Sequence, residues 1–304
     1  MRALVTGATG LIGRQLVSIL NKPKVLSRDS KSAQKFLPTG TEIFTWEFPS
    51  EEPPPTEAFE GVDVIFHLAG DPIAKGRWTT KKKIRLQNSR IAATRNLVNT
   101  LEKLETRPKT LVAASAIGFY GDRQNEMLTE DSPQGDGFLA TLCEQWERET
   151  LRAQDLGIRT VCARIGVVLA LEGGALEKML LPFKLGLGGR LGNGQQWFSW
   201  IHIDDVVGLL RHAANSDDME GPVNMVAPDP VTNRQFTRAM GRALWRPTLF
   251  PAPAFGLRLA LGEMADALLL SSQRIHPTKA QDSEFSFQHP EINGALANLL
   301  GSPS

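Results

Sequence analysis

The sequence predicts an α/β protein, a doubly wound parallel sheet joined to a second, smaller α/β domain at the C-terminal end. Three observations carry that prediction. Short apolar runs alternate with helical patterns through the first two thirds of the chain, as βαβ units require. A glycine-rich turn, Gly7-Ala8-Thr9-Gly10-Leu11-Ile12-Gly13, joins the first apolar run to the first helical one. From about Pro222 the pattern changes to a strand plus helices, punctuated by Pro222, Pro228, Pro230, Pro247, Pro251 and Pro253.

Residues 3–6, 25–27, 43–46, 62–68, 110–115 and 160–165 read as strands. The run Val62-Asp63-Val64-Ile65-Phe66-His67-Leu68 shows little alternation, as a strand covered by helices on both faces should, and is therefore central. Helices are expected over 11–20, where Ile12, Leu16 and Leu20 recur every four residues, and over 138–154. The Gly-rich stretch 173–194, with a helix near 176–187, leaves the sheet and returns. Trp200-Ile201-His202-Ile203 follows as a short strand, and Asp204 is placed to cap a helix over 205–214. The expected division is 1–222, with an excursion at 171–199, and 223–304.

Bulk composition narrows the function classes. At 304 residues, roughly two domains of ~150 residues fit. With 34 basic and 33 acidic residues the formal charge is +1, so nucleic acid is not an expected partner. Lys81-Lys82-Lys83, beside Ile84 and Leu86, reads as a solvated helix face. The start of the chain lacks the ~7–15 apolar residues of a signal-peptide core, which predicts a cytoplasmic protein. The most apolar stretch, 257–270, is broken by Arg258, Glu263 and Asp266 and is shorter than the ~18 residues a bilayer span needs, so it reads as a packed helix and no membrane partner is expected. Cys143 and Cys162 lack CxxC spacing and the five histidines are scattered, so no metal site is expected.

The glycine turn has the chemistry of a dinucleotide site, in the context of a Rossmann fold. Gly7 permits the tight turn, Gly10 lets backbone approach a pyrophosphate, and Gly13 lets helix pack on strand, with Thr9, Leu11 and Ile12 completing the cradle. The end of the second strand decides between NAD and NADP. Arg28 stands about 20 residues beyond the turn, where an acid would bind the ribose 2′-hydroxyl, and Ser27 adds a donor for a 2′-phosphate. NADP is favoured over NAD. Asp29 keeps the alternative open, because a shift of one residue restores an acid.

These residues resemble the extended short-chain dehydrogenase/reductases, the superfamily of nucleotide-sugar epimerases and dehydratases. His67-Leu68-Ala69-Gly70-Asp71-Pro72-Ile73, Arg77-Trp78, Ser89-Arg90, Cys143-x-x-Trp146-Glu147, Leu181-Pro182-Phe183 and Trp200-Ile201-His202-Ile203-Asp204-Asp205 are similar to the subgroup known as epimerase family proteins. That subgroup carries a C-terminal domain of unknown function, and the stretch 221–228 resembles the entry into it. The resemblance implies NADP contacts from Ser27, Arg28, Leu68, Ala69, Gly70, Arg90, Ser115 and Arg164. It implies another from position 85, where relatives often have an acid and this chain has Arg85. It also implies a substrate pocket near Ser115, Tyr120, Trp200 and His202, for a small molecule such as a nucleotide sugar.

One departure bears on chemistry. Hydride-transferring relatives use a Tyr and a Lys four residues later, the Tyr exchanging a proton with the substrate oxygen. This chain has one tyrosine, Tyr120, with Gln124 four residues on. By alignment on Trp146-Glu147, Leu139 and Cys143 occupy the places of the pair. Two readings stay open: an epimerase-like NADP(H) oxidoreductase without the Tyr-Lys pair, or a non-catalytic NADP(H)-binding module acting on a protein partner, as some plastid and cyanobacterial relatives linked to division-site control suggest.

Overall fold

The computed structural model describes residues 1–47 and 52–301. Seven strands form one parallel sheet in the order Glu42–Thr45, Lys24–Ser27, Ala3–Thr6, Val64–His67, Thr110–Ala116, Arg159–Ile165 and Gly221–Met225. Chain order runs outward from Ala3–Thr6 in both directions. It reverses between that strand and Val64–His67, and open α/β sheets bind ligands at the C-terminal ends of strands at such a point.

Neighbouring residues on each strand point to opposite faces, and both faces are covered. Val5, Val25, Phe66, Val112 and Val161 pack in one core with Leu16 and Val17 of the helix Leu11–Ile19 and Val206 and Leu210 of the helix Ile203–Asn215. Leu4, Leu26, Ile65 and Leu111 pack in the other with Leu97 and Leu101 of the helix Ala93–Glu102. Double coverage is why the strand Val64–His67 reads as unbroken apolar sequence and lies at the centre of the sheet. Truncating a side chain such as Leu97, fully buried, would cost about 2–5 kcal/mol.

Several expectations are corrected. Gly221–Met225 pairs in register with the strand Arg159–Ile165, so the expected boundary between 222 and 223 falls inside a strand of the large sheet. The stretch 257–270 is not one packed helix. Gly262, at φ 65°, breaks it after Ala254–Leu261, which has no buried residue and exposes Phe255 and Leu259. The helix after Trp200 starts at Ile203, and its cap is His202, whose Nδ1 accepts the Asp204 N–H at 3.1 Å. Lys82 is buried against the Asp71 carboxylate, so the lysine run is not wholly solvated.

The excursion forms the helix Gly174–Lys184 and returns through Leu191, which bridges to Ala252. Trp197–Phe198 then pairs antiparallel with Val231–Thr232. Among the described residues no helix is long and apolar enough to cross a membrane.

Candidate functional site

The glycine turn sits at the point of strand reversal, and two of its glycines, Gly7 and Gly13, are sterically required. Gly7 has φ 71°, and a Cβ there would lie 2.7 Å from the Leu68 carbonyl. A Cβ on Gly13 would lie 2.2 Å from the Gly7 oxygen. Gly10 caps the helix Leu11–Ile19 with no side-chain bond, and the helix's first turn has no acid. The first N–H groups of a helix have no partner within it, so with Thr9 and Gly10 exposed this end is bare and could hold an anion.

A buried polar chain, missed by sequence reasoning, fixes the facing strand end. The Thr6 hydroxyl accepts the Ala69 N–H at 3.2 Å and lies 2.8 Å from His67 Nδ1. His67 Nε2 lies 3.0 Å from the Thr94 hydroxyl, which accepts the Trp146 indole N–H at 3.0 Å. Burial pushes the His67 pKa down to about 4, so the ring is neutral and bridges the two hydroxyls. The Leu68-Ala69-Gly70 backbone is thereby held where the turn approaches it. A threonine before the turn and a histidine before Leu68 were visible in sequence, but nothing in their spacing showed that they meet.

At the end of the second strand the two candidate residues have different tasks. The Asp29 carboxylate accepts the Ser32 N–H at 3.0 Å as the N-cap of Ser30–Ala33, and the Ser27 hydroxyl donates to the Asp29 carbonyl at 3.2 Å. Arg28 is exposed. The acid that could have bound a ribose is thus turned into a helix cap.

Asp71 organises the neighbouring wall. Burial favours its neutral form, but hydrogen bonds from Lys82 and from Arg85, the latter at 3.2 Å, hold its pKa below the usual range. The position 85 side chain is therefore spent on Asp71. Arg90 donates to the Asp71 carbonyl at 3.1 Å and lies over the Trp146 ring, and its guanidinium carbon would be 3.2 Å from a Cβ on Gly70. The same segment reaches the C-terminal region through Arg77, which donates to the Leu259 carbonyl at 3.0 Å, and Lys83, which pairs with Glu263 at 2.5 Å.

Beyond the turn, Ser115, Tyr120 and Arg164 are brought together, but around each other. Ser115 donates to Glu147 Oε1 at 2.5 Å, and Arg164 grips both Glu147 oxygens at 2.9 and 2.8 Å. Its Nη1 donates to the Tyr120 hydroxyl at 2.9 Å, and that hydroxyl lies 2.7 Å from Asn224 Oδ1. Burial disfavours the Arg164 charge, but the Glu147 bonds outweigh it and raise the pKa. Burial likewise pushes the Tyr120 phenol up to about 12, against the opposing pull of Arg164. Tyr120 is fully enclosed, so it braces the site from behind.

The open space lies in front of this network. A cleft of about 330 Å³ is lined by Gly118, Gly121, Asp136 and Leu139 on one side and by Arg258, Glu263, Asp266 and Gln273 on the other. Leu139 therefore faces the cleft, 3.1 Å from where a Cβ on Gly118 would stand. Cys143, one turn later, packs with Ile117, Phe119 and Tyr120, and burial reinforced by the Glu147 carboxylate pushes its thiol up to about 12. Trp200 and His202 do not line this cleft. Trp200 is fully buried with its indole N–H on the Asp229 carbonyl, and His202 stacks on His289 at 3.8 Å.

Two of the five scattered histidines meet in a cluster with an acid. Donor atoms of His202, Asp204 and His289 lie within 4.8 Å of one another. The His202 Nδ1 lone pair already accepts the Asp204 N–H, which ties that ring to the helix cap.

Residues 3–226 match the NAD dependent epimerase/dehydratase family, and residues 252–299 match a domain of unknown function, DUF1731. The chain belongs to the NAD-dependent epimerase/dehydratase family. Within it, the chain is 39% identical over 305 residues to Epimerase family protein YfhF of Bacillus subtilis, covering 99% of this chain and 98% of that one. It is 37% identical over 310 residues to a chloroplastic SDR39U1 homolog of Arabidopsis thaliana, covering 99% and 87%. Its fold is similar to the crystal structure of human epimerase family protein SDR39U1 with NADPH, with a TM-score of 0.87, 32% identity and 99% of each chain covered. Of the two residues expected at the Tyr-x-x-x-Lys positions, Leu139 lines the cleft and Cys143 packs in the core.

Proposed function

We propose that this chain binds NADPH at the glycine turn and acts as an oxidoreductase of the short-chain type on a small molecule in the adjoining cleft, without a Tyr-Lys proton relay. The observation that carries the reading is the bare N-terminus of Leu11–Ile19 facing the strand reversal, with one oxygen of Asp29 engaged in a helix cap and Arg28 exposed beside it. The human relative's NADPH supports the choice of cofactor. Leu11, Ile12 and Gly13 would hold the pyrophosphate, Ser27 and Arg28 the 2′-phosphate, and Leu68, Ala69 and Gly70 would lie along the dinucleotide. When bound, NADPH supplies a hydride.

The cleft also bears on the substrate. Its lining offers Asp122, Asp136, Glu263 and Asp266 against the single guanidinium of Arg258, which is itself paired with Asp266 at 2.9 Å. A neutral or cationic carbonyl compound suits that lining better than a nucleoside diphosphate. The test is a fluorescence titration followed by turnover of a carbonyl panel. NADPH should bind at least tenfold more tightly than NADH, and deuteride from labelled NADPH should appear in the alcohol formed from a neutral or cationic carbonyl compound. Tighter NADH binding sinks the cofactor assignment, and absence of deuteride transfer across the panel sinks the oxidoreductase.

A second reading has its own observation. Two side chains near the expected place of the missing phenol, Cys143 and Tyr120, are both buried with their pKa pushed up to about 12. A site that holds NADPH without turnover would serve as a redox-responsive module for a protein partner. NADPH-dependent capture of one partner by a protein inert in the turnover assay would favour this reading over the first.

A further inference from the structure

A second recess lies apart from the glycine turn and shares no lining residue with the acidic cleft. It has a volume of about 310 Å³ and is lined by Arg190, Arg234, Thr237, Arg238, Thr248, Leu249 and Pro251. Three guanidiniums and two hydroxyls converge there with no carboxylate among them. The sequence deepens this imbalance: residues 230–262 contain five arginines and residues 178–203 contain Lys178, Lys184 and Arg190, and neither stretch contains an Asp or a Glu. In a chain with a formal charge of +1, this is a local concentration of positive charge.

The arginines are also unspent. Other arginines of the fold are paired, among them Arg95 with Glu149, Arg123 with Glu126 and Arg164 with Glu147. Among the described residues, Arg190 and Arg238 have no side-chain hydrogen bond or ion pair, and Arg234 makes one long bond of 3.4 Å to the Asn193 carbonyl. Like charges at i and i+4 on a helix repel, so Arg234 and Arg238 on Asn233–Leu244 gain nothing from each other.

The frame that holds them is rigid. A capping box between Thr232 and Gln235 starts the helix that carries Arg234, Thr237 and Arg238. Arg190 is set by backbone bonds from Ala252 N to its carbonyl and from Gly192 N to the Ala252 carbonyl, each 2.9 Å. The approach is close enough that a Cβ on Gly189 would lie 1.9 Å from the Phe250 oxygen. Guanidiniums present planar forks of donors that match phosphate oxygens.

We propose that this recess is a binding site for a small phosphorylated metabolite, separate from the dinucleotide site and independent of whether the cleft turns over substrate. The volume lies at the small end of the ~300–1,000 Å³ range of ligand pockets, which suits a diphosphate or a sugar phosphate. The bound anion bridges Arg190 across to Arg234 and Arg238, with Thr237 and Thr248 donating to its remaining oxygens.

Calorimetry on protein already saturated with NADPH, at constant ionic strength, with inorganic pyrophosphate and ribose 5-phosphate as probes, tests this. One equivalent of either probe should bind saturably, and R190Q and the R234Q/R238Q double variant should each weaken it at least tenfold while leaving NADPH affinity and the thermal midpoint unchanged. The substituted side chains are exposed, so the variants should fold. Non-saturable binding, or binding that the substitutions do not alter, would overturn the proposal.

Discussion

Replacing Glu147 by Gln tests the buried network behind the cleft. The carboxylate is 5% exposed and receives three hydrogen bonds, at 2.5 Å from Ser115 and at 2.9 and 2.8 Å from Arg164, itself 3% exposed. Glutamine keeps one acceptor oxygen and turns an NH2 group toward a guanidinium N–H, leaving a buried cation without its counter-charge. Breaking a buried pair from one side costs about 3–5 kcal/mol. Unfolding entropy of about 2.1 cal/mol/K per residue gives about 0.6 kcal/mol/K for this chain, so the expected loss in Tm is about 5–8 °C. Scanning calorimetry reads the midpoint, and urea melts read the free energy. The double variant E147Q/R164M should recover at least half of the loss, because removing both charges removes the uncompensated one. A loss below about 1 kcal/mol, or a double variant no more stable than E147Q, would show that the pair does not act as a buried ion pair.

Four other outcomes are expected. Gly13→Ala should abolish NADPH binding and lower the melting temperature, since its Cβ would sit 2.2 Å from the Gly7 carbonyl; retention of wild-type affinity in a titration would contradict the turn geometry. Arg28→Ala should weaken NADPH by about 10–100-fold, the value of a charge-assisted bond, and leave NADH unchanged, as competitive titrations would show. Because the His67 pKa falls from 6.5 to about 4 on folding, its contribution is intact above about pH 6.5 and is lost as pH falls toward 4, where it reaches about 3 kcal/mol. Urea melts across that range read the slope, and a native imidazole titrating near 6.5 by NMR would refute it. Cys143 and Cys162, both buried with raised pKa, should resist iodoacetamide in the native protein and react on unfolding, and Cys143→Ala should leave any turnover unchanged.

The sheet and the glycine turn were legible because both depend on neighbours in sequence. Apolar runs specify buried strands, and Gly7, Gly10 and Gly13 act within one turn of each other. The network behind the cleft was illegible for the opposite reason: Arg164 meets Glu147 across 17 residues and Tyr120 across 44, while Tyr120 meets Asn224 across 104. Lys82 was misread because a charge run looks solvated until its partner, Asp71, is seen to fold back over it. The cap was assigned to Asp204 because helix caps are expected from Asp or Ser, and here the ring nitrogen of His202 takes the bond instead. The arginine recess escaped notice because Arg190 and Arg234 come from segments that meet only after folding.

The segment from Asp71 to Arg85 touches both halves of the molecule. Its acid end is held by Arg90 beside Gly70, and its Arg77 and Lys83 end on Leu259 and Glu263 at the rim of the cleft. A dinucleotide lying along Gly70 would therefore stiffen a strap that is tied, through Lys83 on Glu263, to one of the residues lining the cleft. Thermodynamic reciprocity then requires that an occupant of the cleft alter dinucleotide affinity by the same factor as the dinucleotide alters its own.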